Sequence, residues 1–362
     1  MIYPWQHTVW QQATQRWHAL PHAILLSGQQ GTGKMAFAEH LAQALLCEHV
    51  DADKNACGMC SACHLFKQHS HPDCMVMRPE VEEGNARKLQ QIKVDAVREV
   101  LAFAQLSSHQ GGRRVIIIEP AEALNLQAAN ALLKVLEEPP ANVVFILVSH
   151  HSERLLPTIL SRLQVWHLPT PAADEALHFV QQQGIALSKS QLAFQAGAPL
   201  LQEDASLQDL RAQWLAVLAK PRLLALLDFA AEFDKHKRPL GEALDWLYKW
   251  LVDVGLSRQG LPALYYPEQQ SGLNALAQHS PQLWQQLVDK MHKLMPFGQH
   301  TLNVKLQLED LSIDYLNLMT HKEARYYCII TFLCLIGACL FGRPHQHLQL
   351  LHEFFEQRWR VH

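Results

Sequence analysis

The stretch Gly28-Gln29-Gln30-Gly31-Thr32-Gly33-Lys34 constrains this 362-residue chain more than any other segment. It follows an apolar run at 23–27 and opens a helical pattern. A strand that enters a glycine-rich turn and then a helix aims backbone N–H groups, a positive helix end and a lysine ammonium at one spot, which is a phosphate cradle. Such a loop belongs in a parallel sheet. Short β-rich apolar runs at 23–27, 74–78, 115–118, 143–148 and 164–168 alternate with helical patterns, as in an α/β layer with helices on both faces of a parallel sheet.

The chemistry that usually accompanies this loop is incomplete. Its eighth position ordinarily carries Ser or Thr to hold Mg²⁺. Here stands Met35, whose thioether is a poor ligand for a hard cation. The apolar strand at 115–118 should end in two acids, but it continues Glu119-Pro120. One acid remains for a metal, and proline cannot activate water. Two losses at one reaction centre predict a loop that does not hydrolyse ATP. They leave open whether nucleotide still binds through Gly28, Gly31, Gly33 and Lys34.

Four cysteines crowd together at Cys47, Cys57, Cys60 and Cys63. Two C-x-x-C steps share Cys60 in a turn-rich loop, a spacing that predicts a closed, structural tetrahedral Zn²⁺ site in a reducing compartment. Cys74 reads as a strand residue and Cys328, Cys334 and Cys339 as core residues. The 22 histidines are spread along the chain and read mostly as surface or cap residues.

Leu168-Pro169-Thr170-Pro171 marks a break, beyond which no convincing strand appears. Residues 172–205 suggest two or three short helices. From 206 onward, stripes such as Leu207, Leu210, Trp214 and Leu218 predict a helical bundle. Residues 326–341 lack charge altogether. They fall short of the roughly 17–25 residues of a membrane span, and the readings are a buried helix, a membrane-associating tail or a peculiarity of the sequence. A formal net charge of −3 gives no basic footprint, so any DNA contact is shared with partners rather than carried alone.

The segment 130–140, Asn-Ala-Leu-Leu-Lys-Val-Leu-Glu-Glu-Pro-Pro, predicts an amphipathic helix with Leu126, Ala129, Leu133 and Leu136 on one face, stopped by prolines. As a string it closely resembles the bacterial clamp-loader subunits of the AAA+ family. The stretch from Leu155 to Leu163 resembles that family's Ser-Arg-Cys motif, with Ser161 and Arg162 in place and Leu163 for the cysteine. Tyr3-Pro4-Trp5-Gln6, the cysteine cluster, His71-Pro72-Asp73 and the helix pattern at 92–99 also match. The resemblance covers roughly 1–320 and is strong to 168. Met35 and Pro120 place the chain with the delta-prime branch rather than with the gamma/tau motors. Ser149-His150 at sensor 1 and Gly197-Ala198-Pro199-Leu200 at sensor 2 point the same way.

What the resemblance implies is a RecA-like AAA+ domain over 1–168 with an inserted zinc module at 47–63. A helical lid over 169–205 and an all-α collar over 206–320 would follow, with an extension of unknown role at 321–362. It further implies a cytoplasmic subunit without ATPase activity of its own, within a DNA-directed DNA polymerase holoenzyme. Its partners would be gamma/tau and delta and, indirectly, the sliding clamp, primed DNA and the polymerase core, in a hetero-oligomer rather than a homo-oligomer. Arg162 would serve as a finger in a neighbour's ATP site. The alternative is an active gamma-like ATPase that uses Glu119 as its sole carboxylate.

Overall fold

The computed structural model describes residues 2–80, 91–108, 112–201, 205–277, 281–295, 298 and 303–320. The 321–362 extension, with its apolar run and three cysteines, lies outside the described residues.

The chain opens with a 3-10 turn (Pro4–Gln6) and α1 (His7–Gln15), then β1 (Ala23–Ser27) and α2 (Lys34–Leu46). After α3 (Ser61–Lys67) come β2 (Cys74–Met77), α4 (Val94–Gln105), β3 (Arg114–Ile118) and α5 (Leu126–Glu137). Then follow β4 (Val143–Ser149), the single turn α6 (Pro157–Leu160) and β5 (Gln164–His167). The five strands are parallel and ordered β2-β3-β4-β1-β5, so Cys74 is the strand residue its surroundings suggest.

Successive strand residues point to opposite faces, and the two sets feed separate cores. Ile24, Leu26, Val115, Ile117, Ile146 and Val148 pack with Trp10, Phe37 and Leu41 of α1 and α2. Leu25, Ile116, Ile118, Phe145 and Leu147 pack with Val97, Val100, Leu132 and Leu136 of α4 and α5. The three inner strands β1, β3 and β4 are buried along their whole length, which is why they read as unbroken apolar runs.

The buried face of α5 differs from the expected one. Ala128, Ala129, Leu132 and Leu136 are buried, whereas Leu133 is half-buried and Leu126 is 63% exposed. Asn125 caps the helix, its side chain accepting from the Ala128 N–H at 2.8 Å. Leu126 is therefore the first helical residue, turned outward, and small Ala128 lets the helix approach the sheet.

Beyond Pro171 all elements among the described residues are helical: α7 (Ala173–Gln182), α8 (Lys189–Phe194), α9 (Ala205–Ala219), α10 (Leu223–Lys235), α11 (Leu240–Arg258), α12 (Gln270–Leu276), α13 (Pro281–Leu294) and α14 (Val304–Thr320). Leu210, Trp214 and Leu218 enter the bundle core, with Leu207 at its margin. Deep in that core Trp250 Nε1 donates to the Tyr315 hydroxyl (2.9 Å), which donates to the Leu218 carbonyl (2.8 Å). Phe194 of α8 packs against the same core with the Arg211 guanidinium 4.2 Å and the Lys249 ammonium 3.8 Å from its ring centroid, a cation–aromatic seam.

Candidate functional site

The glycine-rich loop leaves the C-terminal end of β1 and enters α2 at Lys34, with Gly31 and Gly33 at positive φ of 78° and 83°. Both positions are also closely covered. A Cβ on Gly33 would lie 2.3 Å from the Tyr3 ring, and one on Gly31 would lie 2.9 Å from Leu201. Trp5 Nε1 and Gln6 Nε2 each donate to the Thr32 carbonyl at 2.9 Å, and Gln6 also donates to the Gly33 carbonyl. From the opposite side the Leu200 N–H donates to the Gly31 carbonyl at 3.1 Å. The phosphate loop is thus gripped by the N-terminal turn and by the segment after α8.

Lys34 is buried, and its ammonium donates inward to the carbonyls of Gly28 (2.7 Å) and Gln29 (2.6 Å). Burial pulls its pKa down to about 8, with the Glu122 and Glu119 carboxylates acting against that fall. Met35 does not face the site, because its side chain packs against the α1–α2 core. Glu119 is drawn aside by Arg78, whose Nε lies 3.0 Å from its carboxylate. Glu122 accepts from the His150 N–H at 2.9 Å. Burial, and secondarily the Lys34 cation, holds the His150 imidazole down to about 4. The sheet therefore brings Lys34, Glu119, Pro120, Ser149 and His150 to one end. What they form with Glu122 is a polar cluster that is only partly satisfied, since Glu122 Oε2 and His150 Nδ1 are buried without a hydrogen-bond partner among the described residues.

Sequence reasoning overlooked Glu122 at this end of the molecule and the burial of two histidines. Glu122 carries no motif, and the histidines were read mostly as surface or cap residues, whereas His150 is half-buried and His71 is only 5% exposed. Both histidines lie in motifs quoted above, but the local sequence does not give their burial, which depends on the strand ends they meet.

Arg162 lies at the other end of the sheet. The β1–β5 register aligns Ile24 with Gln164 and Ser27 with His167. Gly28 is level with Leu168, so Arg162 is about 15–20 Å away at about 3.3 Å per residue, farther than an arginine side chain extends. Its Nη1 donates to the Thr158 carbonyl at 2.9 Å, and its Nη2 lies 3.2 Å from a Glu137 carboxylate oxygen. The Ser161 hydroxyl donates to the same Thr158 carbonyl at 3.0 Å. Leu163 is buried in the α4–α5 core.

The cysteine cluster is assembled as its spacing suggests. The Cys47, Cys57, Cys60 and Cys63 sulfurs all lie within 4.8 Å of one another. Cys47 Sγ is 3.6 Å from those of Cys57 and Cys63 and 3.9 Å from that of Cys60. Sulfurs about 2.3 Å from a tetrahedral ion stand about 3.8 Å apart, so the donors fit such an ion. Backbone N–H groups of Met59 and Cys60 donate to Cys57 Sγ, which favours its thiolate and lowers the Cys57 pKa to about 6. The four residues can hold a metal ion.

A parallel five-stranded sheet with a glycine-rich loop, a thiolate cluster and a helical C-terminal region is the architecture of an AAA+ protein of the clamp-loader type. A family model described as "DNA polymerase III, delta subunit" matches residues 5–172. The DNA polymerase III delta-prime subunit of Pseudomonas aeruginosa is 39% identical over 261 residues, covering 70% of this chain and 77% of that protein. The delta-prime subunit of Haemophilus influenzae is 32% identical over 266 residues, covering 70% and 76%. A gamma subunit-related protein of Thermotoga maritima is a structural neighbour at 17% identity and a TM-score of 0.39, covering 85% of this chain and 99% of that one. The chain belongs to the family of DNA polymerase III delta-prime subunits.

Proposed function

We propose that this subunit performs no ATP hydrolysis of its own and supplies Arg162 in trans to the ATP site of a neighbouring clamp-loader subunit. It completes a ring with gamma/tau and delta that loads the sliding clamp onto primed DNA. The observation that carries this reading is the separation of the two ends of the sheet. Arg162 cannot reach the chain's own phosphate loop, yet it stands in the turn that leads into the edge strand β5, at the end of the sheet opposite that loop. Subunits stacked with the loop end of one against the finger end of the next would bring such an arginine to a neighbour's γ-phosphate, where a planar cation stabilises transferred charge.

In this reading the loop from Gly28 to Lys34 is a joint. Its carbonyls are engaged by Trp5, Gln6 and Leu200, and its lysine is satisfied internally. The thiolate cluster holds structural Zn²⁺, which fixes the 47–63 loop against α2. Arg162→Ala should leave the subunit folded and assembled while lowering ATP turnover of the reconstituted complex by about 10³-fold at the site it serves. Unchanged turnover would rule the finger out, and Mg²⁺-dependent hydrolysis by the isolated chain would favour the gamma-like alternative.

A further inference from the structure

We infer that Glu137 is the resting partner of the Arg162 guanidinium, and that the finger engages a neighbour's triphosphate by exchanging this carboxylate for phosphate. The inference rests on the trans-acting reading of Arg162. Glu137 is the last residue of α5 and is followed by Glu138. Acids in the last turn face the negative end of the helix dipole and are disfavoured there. Glu137 is therefore not placed for the helix, and the cation it meets comes from another element.

The geometry of the contact suits release. One carboxylate oxygen meets one nitrogen at 3.2 Å, and the Glu137 side chain is 61% exposed against 28% for Arg162. An ion pair so solvated is weak. A phosphate group, more highly charged and able to take the guanidinium fork through two oxygens, is a better partner than a single carboxylate oxygen. The second contact, from Nη1 to the Thr158 carbonyl, comes from the turn that carries Arg162 itself. It orients the fork without adding negative charge. Glu137 thus competes with phosphate, whereas Thr158 does not.

The test uses the full chain reconstituted with gamma/tau and delta, with ATP turnover measured against ATP concentration. Glu137→Gln keeps the shape and removes the charge. It should lower the ATP concentration for half-maximal turnover by about two- to fivefold, the equivalent of a lost exposed ion pair. Turnover at saturating ATP should not fall, because a competitor has been removed without loss of a transition-state contact. The shift should vanish when Glu137→Gln is combined with Arg162→Ala. An unchanged or raised half-maximal concentration in Glu137→Gln, with Arg162→Ala impaired, overturns the exchange and leaves the finger standing. So does a drop in maximal turnover in Glu137→Ala that Glu137→Gln restores, which would make Glu137 a positioning residue. If Arg162→Ala leaves turnover intact, the finger reading fails and the exchange fails with it.

Discussion

Arg114 and Asp73 give the most demanding test of how the α/β layer is held. Arg114 opens β3 and Asp73 immediately precedes β2, and their side chains are 3% and 2% exposed with Nη2 and Oδ1 3.1 Å apart. Arg114 also donates to the Phe103 and Ser107 carbonyls, and its guanidinium lies 4.6 Å from the Phe103 ring centroid. It therefore ties two strands to the end of α4. Their mutual attraction is offset by the desolvation of both ions, so the intact pair contributes little net stability. Removing one partner is different, because breaking a buried pair leaves the other charge buried without its counter-ion at a cost of up to about 3–5 kcal/mol, less what the other contacts of Asp73 retain. Arg114→Met should therefore speed native-state hydrogen exchange of β3 amides by up to about two to three and a half orders of magnitude, at about 1.4 kcal/mol per tenfold. The Val115 N–H, which donates to the Asp73 carbonyl at 2.9 Å, is the most direct reporter. Combining Arg114→Met with Asp73→Asn should recover part of the loss, since the stranded charge is gone. Exchange slowed or raised less than tenfold by Arg114→Met, or strict additivity of the two changes, would refute the reasoning.

Tyr315→Phe should destabilise the helical bundle by about 1–3 kcal/mol in urea unfolding, because the buried Trp250 N–H and Leu218 carbonyl both lose their partner; a change below about 0.5 kcal/mol would show that the chain of bonds contributes nothing net. Acidification should cost stability through His150, which stays neutral in the native state down to about 4 while an ordinary histidine protonates near 6.5. Between those values the unfolded chain takes up a proton that the native protein does not, so stability falls as pH falls. Allowing for partial exposure, the loss is about 1 kcal/mol at pH 5 relative to pH 7. His150→Gln should lack this increment in paired melting curves, and an identical acid slope in both proteins would exclude it. Cys60→Ser should lower the zinc content of the purified chain well below the stoichiometric value and reduce its melting temperature; full zinc retention by elemental analysis would count against a four-thiolate ion.

How much of this was legible depended on how local the signal was. The strands at 23–27 and 143–148 were visible because burial on both faces makes every residue apolar, so no phase had to be chosen. The thiolate cluster was visible because its ligands lie within one short loop. The α5 face was misphased because its start is set by the Asn125 cap and its approach by Ala128, and a stripe of leucines drawn from spacing alone takes account of neither. Glu137 and Arg162 were both in quoted motifs, yet they are 25 residues apart, and only the packing of α5 beside the turn before β5 makes them a pair. The contact between Glu122 and His150 was illegible for the same reason, because they meet across separate strand ends.

The phosphate loop shows why sequence left nucleotide binding open. A glycine pattern is ordinarily read as space left for phosphate oxygens to approach the backbone. Here Gly33 is pressed by the Tyr3 ring and Gly31 by Leu201 and Ala198, so a side chain at either position would collide with the protein itself. Each also sits at positive φ, where a side chain strains the backbone further. Intramolecular packing alone is thus sufficient to require the glycines. Lys34 follows the same logic, because with its ammonium on the Gly28 and Gln29 carbonyls it closes the turn that Tyr3, Gln6 and Leu200 grip from outside. Met35 and Pro120 stand where the motif ordinarily places a metal-holding hydroxyl and a water-activating acid. Met35 has been absorbed into the core. A glycine-rich loop of this pattern can therefore serve as a joint whether or not it binds nucleotide, and the residues that would distinguish joint from catalyst are the two that no packing contact demands be Ser, Thr or an acid.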